Sequence, residues 1–100
     1  MKNLCVTLKS NKATVYVWEE VVFDVVCKTI SNIPDFTQER EIRYDFDGDW
    51  EWDLITKDNH VTYVYKKSNL YWYIPRVGVV YRWNIWTARW WSIIVKDNFD

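Results

Sequence analysis

Ile42-Arg43-Tyr44-Asp45-Phe46-Asp47-Gly48-Asp49 constrains this chain more than any other stretch. Ile42, Tyr44 and Phe46 alternate with charged residues, and a period of two puts those three side chains on one face of a strand, towards a core. The same alternation sends Asp45 and Asp47 outward together. The strand then meets a carboxylate cluster holding one of the chain's two glycines, which requires a tight turn.

The flanking segments repeat this grammar. Leu4–Leu8, Thr14–Val17, Val21–Cys27, Gln38–Phe46, Leu54–Thr56, His60–Tyr65, Tyr73–Arg82 and Ala88–Val95 read as strands, Leu54–Thr56 being short and optional. Val21–Cys27 is strongly β-branched, which suits a pleated surface. Ser10-Asn11-Lys12, Lys57-Asp58-Asn59 and Lys66–Asn69 are turns, and 31–37, with Asn32, Pro34 and Asp35, is a loop because proline cannot donate to a ladder. No helical period is visible. Seven or so short strands at this spacing predict an all-β, antiparallel sandwich.

An aromatic-Asp-Phe-Asp-Gly-Asp turn (Tyr44–Asp49), a Val-Thr-Tyr-x-Tyr strand (Val61–Tyr65), then Tyr73 followed by alternating Val77 and Val79 occur in that order. This order resembles the PKD (polycystic-kidney-disease-type) domain, from about Val15 to Val95. The resemblance implies an immunoglobulin-like sandwich, 1–100 being one module of a larger secreted or surface protein. It implies a non-catalytic spacer, mechanical element or protein–protein contact, whose partners are neighbouring domains of the parent protein and other surface proteins. Tyr44, Phe46, Tyr63, Tyr65 and Tyr71 are then core or near-core. Some members of the family bind calcium and many do not.

Composition agrees with a small single domain. One hundred residues support one core, and 49% hydrophobic residues argue against disorder. Net charge is −1 with lysine and arginine scattered, whereas a nucleic-acid surface needs a concentrated basic patch. Apolar runs are too short to span a membrane, and Met1-Lys2-Asn3 leads into a strand-like run rather than a signal-peptide core. Targeting information is therefore expected elsewhere in a longer parent. Cys5 and Cys27 are too few for a zinc cluster. They are either bridged or, as the favoured reading, two small buried hydrophobes.

Eight tryptophans stand against two glycines, although glycine is normally about 7% of a chain. Trp18 and Trp50 occupy turns where the PKD pattern writes glycine, Trp72 lies beside another turn, Trp83 and Trp86 flank Asn84 in the last hairpin, and Trp90-Trp91 sit in the final strand region. Such turns want φ above zero, which glycine adopts freely and tryptophan does not. The expectation is that UGA codons, glycine in the source organism, have been translated as tryptophan. The alternative is a domain rich in native tryptophan.

Asp45, Asp47, Asp49 and Asp53, with Glu51 nearby, form the only dense ligand set. Hard oxygen donors around a glycine turn suit calcium, which takes six to eight oxygens. An EF-hand loop would place glycine directly after the third aspartate, where Trp50 stands. The competing and favoured reading is that the carboxylates accept amide hydrogen bonds from their own turn. His60 is the only histidine and, in an alternating strand, is expected to be a structural or surface residue rather than a base. No nucleophile motif or phosphate cradle occurs, so no catalysis is expected. A second functional reading is a carbohydrate-binding module, a polysaccharide stacking on exposed rings of Trp83, Trp86 and Trp90.

Overall fold

The computed structural model describes residues 4–29, 36–68 and 73–97. Tyr71 and Trp72, named above, lie outside them. Among the described residues the chain is mostly β: β1 (Leu4–Ser10), β2 (Thr14–Tyr16), β3 (Glu20–Thr29), β4 (Glu41–Asp45), β5 (Leu54–Thr56), β6 (His60–Val64), β7 (Arg76–Tyr81), β8 (Asn84–Arg89) and β9 (Ile94–Lys96), with one helical turn, α1 (Phe36–Glu39). The sheets are β1-β3-β6, β5-β4-β7-β8 and the pair β2-β9.

Three expectations need correction. The first residues assigned to the long central strand form α1 instead, and the strand itself is only Glu41–Asp45. The last predicted strand is split between β8 and β9, because the chain leaves the β7 ladder after Arg89, bonds to Pro75 and Tyr73 through the amides of Trp90 and Ile93, and then pairs with β2. Among the described residues the ladders are antiparallel except one: β2 runs parallel to β9, with Val15 opposite Val95.

The alternation read from the sequence governs the core. Val21, Phe23 and Val25 of β3 are buried, as are Ile42 and Tyr44 of β4, Val77 and Val79 of β7, and Phe46 just beyond β4. Each such side chain contributes roughly 1.5–3 kcal/mol by leaving water. The two larger sheets contribute to one cluster, and the Phe23 and Phe46 rings approach to 5.5 Å. A run of rings continues from Tyr44 through Phe46 and Tyr63 to Tyr65 and Tyr73. Tyr65 is buried and its hydroxyl donates to the Phe46 carbonyl, so the residue that ends the inward alternation is fixed from both sides. Tyr63 is half-buried.

In β1 and β3, Cys5 lies opposite Lys28 and Cys27 opposite Val6. Adjacent register positions face opposite sides of a sheet, so the two thiols are separated by the sheet. Both are free, and the expectation of two small buried hydrophobes is corrected: Cys5 is on the solvent face and exposed, and Cys27, on the inner face, is only half-buried.

Candidate functional site

The acidic loop begins where β4 ends. Asp45 is opposite Arg76 of β7 in the ladder, and its side chain is fully buried rather than pointing out to solvent as the alternation suggested. Period two does place it on the face opposite Tyr44 and Phe46, but the following loop and Arg76 close over that face. Asp45 Oδ1 accepts the Gly48 amide at 2.9 Å and the Asp49 amide at 3.3 Å. Oδ2 accepts the Trp50 amide at 3.0 Å and Arg76 Nε at 2.7 Å. A carboxylate offers about four lone-pair sites, so Asp45 is fully used.

The other carboxylates continue the turn. Asp47 Oδ1 accepts the Asp49 amide at 3.4 Å, Asp49 Oδ1 accepts the Glu51 amide at 2.9 Å, and Asp53 Oδ2 accepts the Phe46 amide at 2.8 Å. The Asp53 amide in turn donates to the Tyr44 carbonyl at 2.7 Å. The fold therefore brings all four predicted residues together, each offering an oxygen within 4.8 Å of the others. Asp47 is half-buried, while Asp49 and Asp53 are exposed. Only these three retain lone pairs for a cation. The shortfall from six oxygens would fall to carbonyls and water.

Arg76 is the functional partner that sequence reasoning did not find. Its guanidinium lies 4.0 Å from the centre of the Trp50 ring and 4.6 Å from that of Trp52, a cation–π setting that also shields its ion pair. Nothing local marks an arginine thirty-one residues from its aspartate; only the β4–β7 register joins them.

One guanidinium among four carboxylates leaves the loop short of positive charge. Burial opposes ionisation of Asp45, but hydrogen bonds from Arg76, Asp47 and the Trp50 and Gly48 amides outweigh it and hold its pKa below the usual range. Asp47 takes the opposite course. Burial and the neighbouring Asp45, Asp53 and Asp49 push it up to about 7 from an ordinary 3.8. Burial likewise raises Asp53, with Asp49 and Asp45 adding to it and the Phe46 amide opposing.

A raised carboxyl pKa means that the folded state holds a proton the unfolded chain would release. That stability is complete below the unfolded value and is lost as pH rises through the folded value. The melting temperature is therefore expected to fall between about pH 4 and pH 7, and Asp47→Asn to flatten that slope. Asp45 acts in the other direction and in a lower window, below its ordinary 3.8. A variant with an unchanged slope would show that Asp47 does not carry the proton.

The remaining candidates separate. Trp83 is fully exposed at the hairpin tip, whereas Trp86 and Trp90 are partly buried against the core. Trp90 also lines a cleft of about 330 Å³ with Ile74, Arg89 and Trp91. His60 is exposed and pairs through Nδ1 with Asp24 across the β3–β6 ladder. Searches of protein-family models and of curated proteins find no match to this chain.

Proposed function

We propose that this chain is a non-catalytic, PKD-like module with an immunoglobulin-like sandwich fold, serving as spacer or protein–protein contact in a larger secreted or surface protein. The observation that carries the reading is the use made of the acidic loop. Its most buried carboxylate binds three amides and an arginine of its own domain, which suits a turn built for rigidity rather than turnover. An elongated form, with extents of 50 × 20 × 19 Å, also suits a spacer. Neighbouring domains of the parent protein are the expected partners.

The spacer reading expects no glycan to be retained on a polysaccharide and oligosaccharide array, because Trp86 and Trp90 give part of their ring faces to the core. Retention that is lost in Trp86→Ala and Trp90→Ala would overturn it in favour of sugar binding.

Calcium is a separate question with its own measurement. A cation bound only to the folded state stabilises it by RT ln(1 + [L]/Kd), about 2.7 kcal/mol at a hundredfold excess over Kd. With Asp45 saturated by protein donors, the expected result is a melting temperature unchanged when calcium is replaced by EDTA. A fall of several degrees, absent in Asp47→Asn, would instead make the loop a structural calcium site.

A further inference from the structure

We infer that the native protein carries glycine at 18, 50 and 83 and tryptophan at 52, so that only part of the tryptophan in the written sequence is misread UGA. Seven tryptophans are described, at 18, 50, 52, 83, 86, 90 and 91. Three of them have left-handed backbones: Trp18 at φ 69°, Trp50 at 72° and Trp83 at 67°. These nearly match Gly48 at 75°. Residues other than glycine take this region only a few per cent of the time, chiefly as Asn or Asp, and a bulky residue there is an outlier.

Two of the three, Trp18 and Trp83, also fit glycine by their place in a turn. The Glu19 amide donates to the Tyr16 carbonyl at 3.2 Å, so 16–19 is a β-turn with Trp18 third. Val17 is not among the positive-φ residues, which makes the turn type II, and type II requires φ above zero at its third residue. Arg82 and Trp83 are the two residues between paired Tyr81 and Asn84, and both have positive φ. That is a type I′ hairpin, whose second central residue is typically glycine. Trp50 lies two residues beyond Gly48 in the acidic loop. The amides of Trp18 and Trp50 are bonded, to the Tyr65 carbonyl at 2.9 Å and to Asp45 Oδ2 at 3.0 Å, and glycine keeps both bonds.

The three side chains are solvated, with relative exposures of 64%, 77% and 102%, so removing them takes nothing from the hydrophobic core, and the contact given up near the acidic loop is that of the Trp50 ring with Arg76. Trp52 shares the contact with Arg76 but differs in backbone and burial. It has no left-handed backbone and is half-buried. Its Cη2 lies 3.0 Å from where a Cβ on Gly78 would be, so the ring lies on bare backbone of β7. Glycine at 52 would uncover both that backbone and Arg76.

Tandem mass spectrometry of peptides from the protein made by its natural host decides each position. Glycine at 18, 50 and 83 with tryptophan at 52 is the expected result, matched by UGA codons at the first three and UGG at 52. Tryptophan at any of the three, or glycine at 52, overturns the assignment there. Stability gives an independent readout on the chain as written. Trp18→Gly and Trp83→Gly are each expected to raise the melting temperature by roughly 4 °C, because relief of the left-handed strain exceeds the added freedom of the unfolded chain, and Trp50→Gly to raise it by less, because its ring also leaves Arg76. Trp52→Gly is expected to lower it by more than about 5 °C. A fall at 18, 50 and 83 comparable to that at 52 would mean that the rings belong to the fold and would overturn the inference.

Discussion

Replacing Asp45 with alanine is expected to cost about 3–5 kcal/mol, the penalty for leaving one member of a buried ion pair without its partner. Arg76 would lose the oxygen it meets at 2.7 Å, in a site where its side chain is only 16% exposed. The amides of Gly48, Asp49 and Trp50 would lose their acceptor at the same time, and unmet buried donors add to the cost. For a domain whose total stability is on the order of 5–15 kcal/mol, this removes a large fraction. Urea unfolding should show a lower midpoint with an unchanged m-value, and the melting temperature should drop on the order of 20 °C. Asp45→Asn keeps the shape and part of the acceptor capacity and should lie between the two. A loss below about 1 kcal/mol for Asp45→Ala would mean that the loop holds itself together without this carboxylate.

The burial of Asp45 also marks the limit of what alternation reveals. Ile42, Tyr44 and Phe46 were legible as core because an inward face is a property of the strand alone. Whether the opposite face is wet depends on what folds over it, here Arg76 and the loop from 46 to 53, and that follows from β4–β7 register rather than local pattern. The same limit hid α1, a single turn of four residues, too short for helical periodicity. The β2–β9 pair joins segments some eighty residues apart, which no local signal records. Turn chemistry fared differently. Of the tryptophans read as glycine-type turn positions, 18, 50 and 83 have positive φ, whereas Trp86 lies within β8 and does not, and at 18 and 83 the type II and type I′ turns each demand positive φ at a fixed place. With glycine at position 50, the aspartates at 45, 47 and 49 would run directly into a glycine, and the sharp turn and the carboxylate spacing would agree.

Gly48→Ala should be the most damaging change that adds only a methyl group. The backbone at Gly48 has φ +75°, where a Cβ costs about 1–2 kcal/mol. Strain is not the whole cost. A Cβ there would sit 2.5 Å from the Ile74 carbonyl oxygen and 3.3 Å from its carbon, atoms of the main chain that cannot rotate away. Forcing them apart adds roughly 1–3 kcal/mol, and moves the strand entry that carries Pro75 and Arg76, the partner of Asp45. Gly78→Ala is the control. Its Cβ would meet Ile85 Cδ1 and Trp52 Cη2 at 3.0 Å, the far ends of side chains that can shift, and it has no left-handed backbone to strain. Gly48→Ala is therefore expected to lose about 3–4 kcal/mol by chemical unfolding and Gly78→Ala about 1 kcal/mol. If the two variants lose the same, close approach to Ile74 is not what requires glycine at 48. Two residues apart in one loop and within a few degrees in φ, adding a side chain at 48 and removing one at 50 should move stability in opposite directions, since the same backbone geometry rejects a Cβ in both places.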